Sequence, residues 1–153
     1  RTYAVNVTAG NLLLCFGKND ATATHDSVTS DAGTDVWTQF ATGSPKDIGG
    51  AGGIRLSAWW YVADESEALT VTLTFGGSAS GRWLACGEFS GNAASPFDVS
   101  QSNTQENPGT GTDAVTSGAT AAIAQANSFG AACVIGRSAG TTGTAGTRKR
   151  TTR

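Results

Sequence analysis

The chain has 153 residues with 12 acidic and 10 basic side chains, and its net charge of −2 excludes a general affinity for nucleic acid or anionic membrane surfaces. Only 14% of the residues are charged and 39% are apolar, which excludes compositional disorder, while 21 glycines among many Thr, Ser and Ala favour a turn-rich all-β protein. No apolar run approaches the roughly 18 residues of a membrane span. The chain contains no methionine, so Arg1 is expected not to be the original start.

In chain order, Tyr3 to Thr8 alternates as a strand, Ala9–Gly10–Asn11 reads as a turn, and Leu12 to Gly17 is an apolar run suited to the middle of a sheet. His25 to Ser30 and Asp35 to Thr42 flank the turn Asp31–Thr34 and predict a hairpin. Gly43 to Gly53 is too glycine-rich for regular structure and reads as a loop. Ile54 to Val62 and Leu69 to Phe75 alternate strictly on either side of the acidic run Asp64–Glu67, which predicts a second hairpin. Ile54, Leu56, Ala58, Trp60 and Val62 form the more apolar row, so that row is expected to face the core. Arg55, Ser57, Trp59 and Tyr61 are then expected to face outward.

Arg82 to Ser90 reads as a strand apolar on both faces. Gly91 to Gly111 is irregular; short strands follow at 114–117 and 119–124, and Phe129 to Ile135 reads as a final apolar strand. The organisation expected is a sandwich domain over residues 1–136 and a Thr/Gly-rich, basic tail over 137–153, whose RKRTTR end is solvated.

Candidate chemistry is sparse. His25 is the only histidine, and no nucleophile elbow accompanies it. Asp20, Asp26, Asp31 and Asp35 carry the oxygens that calcium takes. The spacing DAGTD lacks the EF-hand pattern, however, and Asp and Gly are ordinary turn residues, so no metal site is expected. Glu88 lies in an apolar strand, but no second carboxylate is identified for glycosidase chemistry. No catalytic residue and no cofactor are therefore expected. Cys15, Cys86 and Cys133 sit singly in separate apolar runs, without CxxC spacing and in odd number, which predicts three free thiols and assembly in a reducing cytoplasm. Arg55, Trp59 and Tyr61 are the candidate contacts, either at a protein interface or stacked on sugar rings.

The stretch SVTSDAGTDVWTQ resembles the SVTDSAGNTWT signature of a β-sandwich domain common in phage structural proteins and bacterial surface proteins. The resemblance continues through VTAGNLLLCFG, IRLSAWWYV, LTVTLTFGGSASGRWLACGEFSG with SPFDVSQSNT, and SGATAAIAQANSFGAACVIG, up to Gly136. It implies a jelly-roll-like, antiparallel β-sandwich used for assembly, decoration or adhesion, without enzymatic activity or cofactor. The expected function is a structural protein of a virion, a capsid decoration or tail component, partnered by copies of itself or by other virion proteins. The alternative is a carbohydrate-binding or adhesive module at a bacterial cell surface. Members usually continue past the ACVIG-type strand into further strands, where this chain turns to Thr/Gly repeats. Either the sandwich is closed by fewer strands, or a sheet edge is left open there for a neighbouring subunit.

Overall fold

The computed structural model describes residues 2–20, 23–31, 34–40, 45–48, 53–92, 96–98, 119, 122, 130–133 and 147–148. Among these every regular element is a strand: β1 (Thr2–Val7), β2 (Leu12–Asp20), β3 (His25–Ser30), β4 (Thr38–Gln39), β5 (Lys46–Ile48), β6 (Ile54–Val62), β7 (Glu67–Phe75), β8 (Ser80–Phe89), β9 (Gly130–Ala131) and β10 (Thr147–Arg148). The chain divides into two compact units, Arg1–Phe97 and Asp98–Arg153. In the second unit, β9 and β10 pair antiparallel. The strands expected at 114–117 and 119–124 and most of the basic tail lie outside the described residues.

The first unit is all-β and antiparallel. One sheet has the order β1-β7-β3; the other has the order β4-β6-β2-β8, with β5 also paired to β6. Neither predicted hairpin forms. β3 pairs with β7 whereas β4 pairs with β6, and β6 and β7 lie in different sheets. These turns are corners that carry the chain from one sheet to the other. Alternation specifies which residues share a face, and a corner satisfies it as well as a hairpin does. The loop expected at Gly43–Gly53 contains β5, whose Lys46, Asp47 and Ile48 pair with Leu56, Arg55 and Ile54.

Two corners lock against each other at one end. The Gly10 N–H donates to the Ala63 carbonyl at 2.7 Å, and the Ala63 N–H donates to the Asn11 carbonyl at 2.9 Å. Gly10 has φ of +83°, a conformation side chains rarely tolerate, which explains glycine at this corner. Glu88 pins the same end: its Oε1 accepts from the Thr8 N–H and from Asn11 Nδ2, both at 2.7 Å. The Asn11 amide, followed by the Thr8 N–H, holds the Glu88 carboxyl below its usual range. Its position in an apolar strand thus has a structural use.

The core lies between the sheets. Leu13, Cys15, Trp59, Tyr61 and Leu84 from the larger sheet meet Val7, Val28, Leu69, Val71 and Leu73 from the smaller one. The alternation read over Leu69 to Phe75 turns Leu69, Val71 and Leu73 inward. Gly17 completes the packing, because a Cβ there would stand 2.4 Å from Leu73 Cδ2 and 3.3 Å from the Trp59 ring.

Two expectations are corrected. On β6 the inward row is Ser57, Trp59 and Tyr61, not the more apolar row through Trp60. Cys15 and Cys86 are joined in a disulfide rather than free. They occupy directly opposite positions of β2 and β8, a proximity created by register across 71 positions of sequence and invisible to residue spacing. Cys133 is the free cysteine; it is half-buried, and burial pushes its thiol up to about 11.

Candidate functional site

The inward face of β6 carries Arg55, Ser57, Trp59 and Tyr61 in sequence, so all three predicted contact residues share one row. The row is turned into the molecule. Trp59 is 4% exposed and Tyr61 6% exposed, and both belong to the core. This overturns the expectation of an outward aromatic pair. Arg55 lies at the start of the strand and forms a bidentate pair with Asp47, its cross-strand neighbour on β5, with Nε–Oδ1 at 2.6 Å and Nη2–Oδ2 at 2.5 Å. The paired guanidinium holds the Asp47 carboxyl below its ordinary value, and the Asp47 carboxylate in turn raises Arg55.

At the other end of the row the Tyr61 hydroxyl stands 2.7 Å from Asp35 Oδ1 and 2.6 Å from Asp64 Oδ1, while accepting the Asp64 N–H at 3.2 Å. One hydroxyl proton serves only one of the two carboxylates at a time. Burial, then the hydrogen bonds to Asp64 and Asp35, push the phenol well above its ordinary value, so it remains protonated. Asp35 is steadied by the Ser30 hydroxyl, which in turn accepts the Trp37 indole N–H at 3.3 Å.

Asp35, Asp64 and Glu67 converge so that one oxygen from each lies within 4.8 Å of the others, and Glu67 Oε1 is buried without a hydrogen-bond partner. Desolvation, then the negative charge of Glu65, Asp35, Asp64 and Asp31, pushes the Glu67 carboxyl up. Three carboxylate oxygens at this spacing form a donor set of the type that hard divalent cations take. Of the four aspartates considered from sequence, only Asp35 belongs to this group. Its partners, Asp64 and Glu67, come from the corner between β6 and β7. The acidic run signalled them, but it could not signal convergence with Asp35.

His25 occupies the Arg55 end, between the sheets. Its Nε2 lies 2.6 Å from Asn19 Oδ1, and its Nδ1 contacts Ser57 Oγ. The Asn19 amide donates to the Ala23 carbonyl at 3.3 Å, which turns Oδ1 toward the ring. The ring stacks on Trp59 at 5.9 Å and meets Phe75 edge-on at 5.1 Å. Asn19 is 0% exposed and Ser57 1% exposed. A serine, a histidine and an asparagine in hydrogen-bonded series have the connectivity of a nucleophile, base and orienting group, but this serine is closed to any substrate. The arrangement is a buried polar bridge.

The opposite face of the larger sheet carries a second apolar row, with Leu12, Leu14 and Phe16 on β2 set between Leu56, Ala58, Trp60 and Val62 on β6 and Ala85 and Phe89 on β8. Phe97 stacks on Trp60 at 6.4 Å and packs against Phe40 at 5.0 Å, yet remains 37% exposed. No described strand lies beyond β8, a ten-residue strand at the edge of its sheet.

Compared with protein-family models, curated proteins and solved structures, the chain matches none.

Proposed function

We propose that this protein is a non-enzymatic structural component of a virion, a capsid decoration or tail protein, that acts through contacts between β-sandwich subunits. The observation that carries this reading is the larger sheet's second apolar face beside the long edge strand β8. Leu12 and Leu14 at the centre of this face are buried, whereas Phe16, Trp60 and Phe89 around them are only part-buried, so the face keeps apolar surface for a neighbour. The contact residues on this reading are Trp60, Phe16 and Phe89, because Arg55, Trp59 and Tyr61 face inward. The nested pairs β1 with β7 and β2 with β6 support jelly-roll-like wrapping. The resemblance carried by SVTSDAGTDVWTQ supports the virion assignment.

The Cys15–Cys86 disulfide removes the thiol argument for a reducing cytoplasm and suits a particle that persists outside the cell. The carbohydrate-binding reading rested on outward Trp59 and Tyr61, and their burial takes that support away.

Sedimentation analysis of the purified chain tests the proposal. The expected result is a homo-oligomer that Trp60→Lys shifts toward monomer while the strand-type circular dichroism is retained. A monomer at high concentration, unchanged by Trp60→Lys, would overturn it.

A further inference from the structure

His25 is the polar connection between the two sheets: it belongs to β3 of the smaller sheet and bonds to Asn19 on β2 and Ser57 on β6 of the larger one. The neighbours dictate its charge state. Asn19 Oδ1 is an acceptor, so Nε2 carries the proton; Nδ1 is then a lone pair that accepts the Ser57 hydroxyl proton. Both ring nitrogens are satisfied by the neutral imidazole. A second proton at Nδ1 would displace the Ser57 hydroxyl proton, and Ser57, closed to water, has no solvent to receive it.

We infer that His25 is an acid-sensitive tie between the sheets: its protonation reverses the bond to Ser57, turns the buried hydroxyl proton away from its acceptor, and loosens β3 from the larger sheet. Burial favours this outcome most, and the charges around the ring are divided. From β6, Arg55 opposes a second cation, and the neighbouring carboxylates of Asp47 on β5 and Asp26 on β3 act in the other direction. β2 presents the neutral Asn19, with Lys18 and Asp20 paired to each other, and β7 presents Phe75. Stacking on Trp59 at 5.9 Å is at the outer reach of a cation–π attraction and offsets only part of the lost hydration. The balance, with desolvation largest and Arg55 next, lowers the imidazole from 6.5 to about 4.

The consequence for stability has a definite sign. The folded state favours the neutral ring, so the contribution of His25 is complete above pH 6.5 and is lost as the pH falls toward 4. Within that window the unfolded chain binds one more proton than the folded one. The unfolding equilibrium therefore rises by up to about tenfold per pH unit from this residue. β3 is the element to loosen first, because it carries His25 and, among the described strands, pairs only with β7, with a register irregularity between His25 and Ser27.

The test uses the intact chain, in which a single histidine gives an unambiguous ring proton signal. Nuclear magnetic resonance titration is expected to place the His25 midpoint near 4. Amide exchange, corrected for its intrinsic pH dependence, is expected to quicken selectively at Val28, Thr29 and Ser30 between pH 6.5 and 4.5 while Val71 stays protected. In His25→Gln the fall in unfolding midpoint over that window should shrink relative to the parent. A histidine midpoint at 6 or above, or β3 exchange that does not change with pH, would overturn the inference. Both are read on the parent protein, so they decide the question even if His25→Gln fails to fold.

Discussion

The two ends of the inward row of β6 solve the same problem in opposite ways. Each places polar side chains against an apolar core: Ser57 with His25 at one end, Tyr61 with Asp35 and Asp64 at the other. At the His25 end the groups are neutral and matched donor to acceptor, so burial costs little while the ring stays uncharged. At the Tyr61 end one hydroxyl is shared between two carboxylates with a third nearby, so negative charge accumulates at the surface. The difference predicts opposite pH responses. Acid weakens the His25 end, whereas protonation relieves the carboxylate end, because Glu67 is held above its usual range and its unfavourable contribution fades as the pH falls through that raised value.

The largest effect is expected at the residue between the ends. Trp59→Ala removes a buried ring packed between Gly17 and His25 and should cost about 3–5 kcal/mol in denaturant unfolding. A loss below about 1 kcal/mol would contradict its place in the core. Next, the double replacement Cys15→Ser with Cys86→Ser should cost about 2–5 kcal/mol, because the bond closes a long loop between β2 and β8. Thiol titration of the denatured, unreduced parent should find Cys133 alone.

Tyr61→Phe sharpens the comparison. Removing the hydroxyl that Asp35 and Asp64 share should cost about 1 kcal/mol in denaturant unfolding at neutral pH. No measurable cost would mean that the hydroxyl's bonds to the two carboxylates do not stabilise this end. The smallest effect concerns Glu67→Gln, which should raise the thermal midpoint slightly at pH 7, an advantage that shrinks as the pH falls through the raised value of the parent carboxyl. A lower midpoint at pH 7 would show that the Glu67 carboxylate is needed in its charged form.

The sequence by itself determined the all-β character, the extent of β6, the presence of β7 and β8, and the alternation that puts Leu69, Val71 and Leu73 on one face, because period-two alternation and glycine turns are local properties of the chain. It also brought Arg55, Trp59 and Tyr61 together on one face. Tertiary structure alone decided which way that face turns. Counting apolar residues favours the Trp60 row, since Arg55 and Ser57 look solvent-facing. Yet Asp47, His25, Asp35 and Asp64 supply partners that make the polar row compatible with burial, and most of these are remote in sequence. Pairing was equally hidden. The same alternating strands satisfy a hairpin or a corner between sheets, and the Cys15–Cys86 bond exists because β2 and β8 meet in register. Faces are written in neighbouring residues; partners are written only in the packing of strands far apart along the chain.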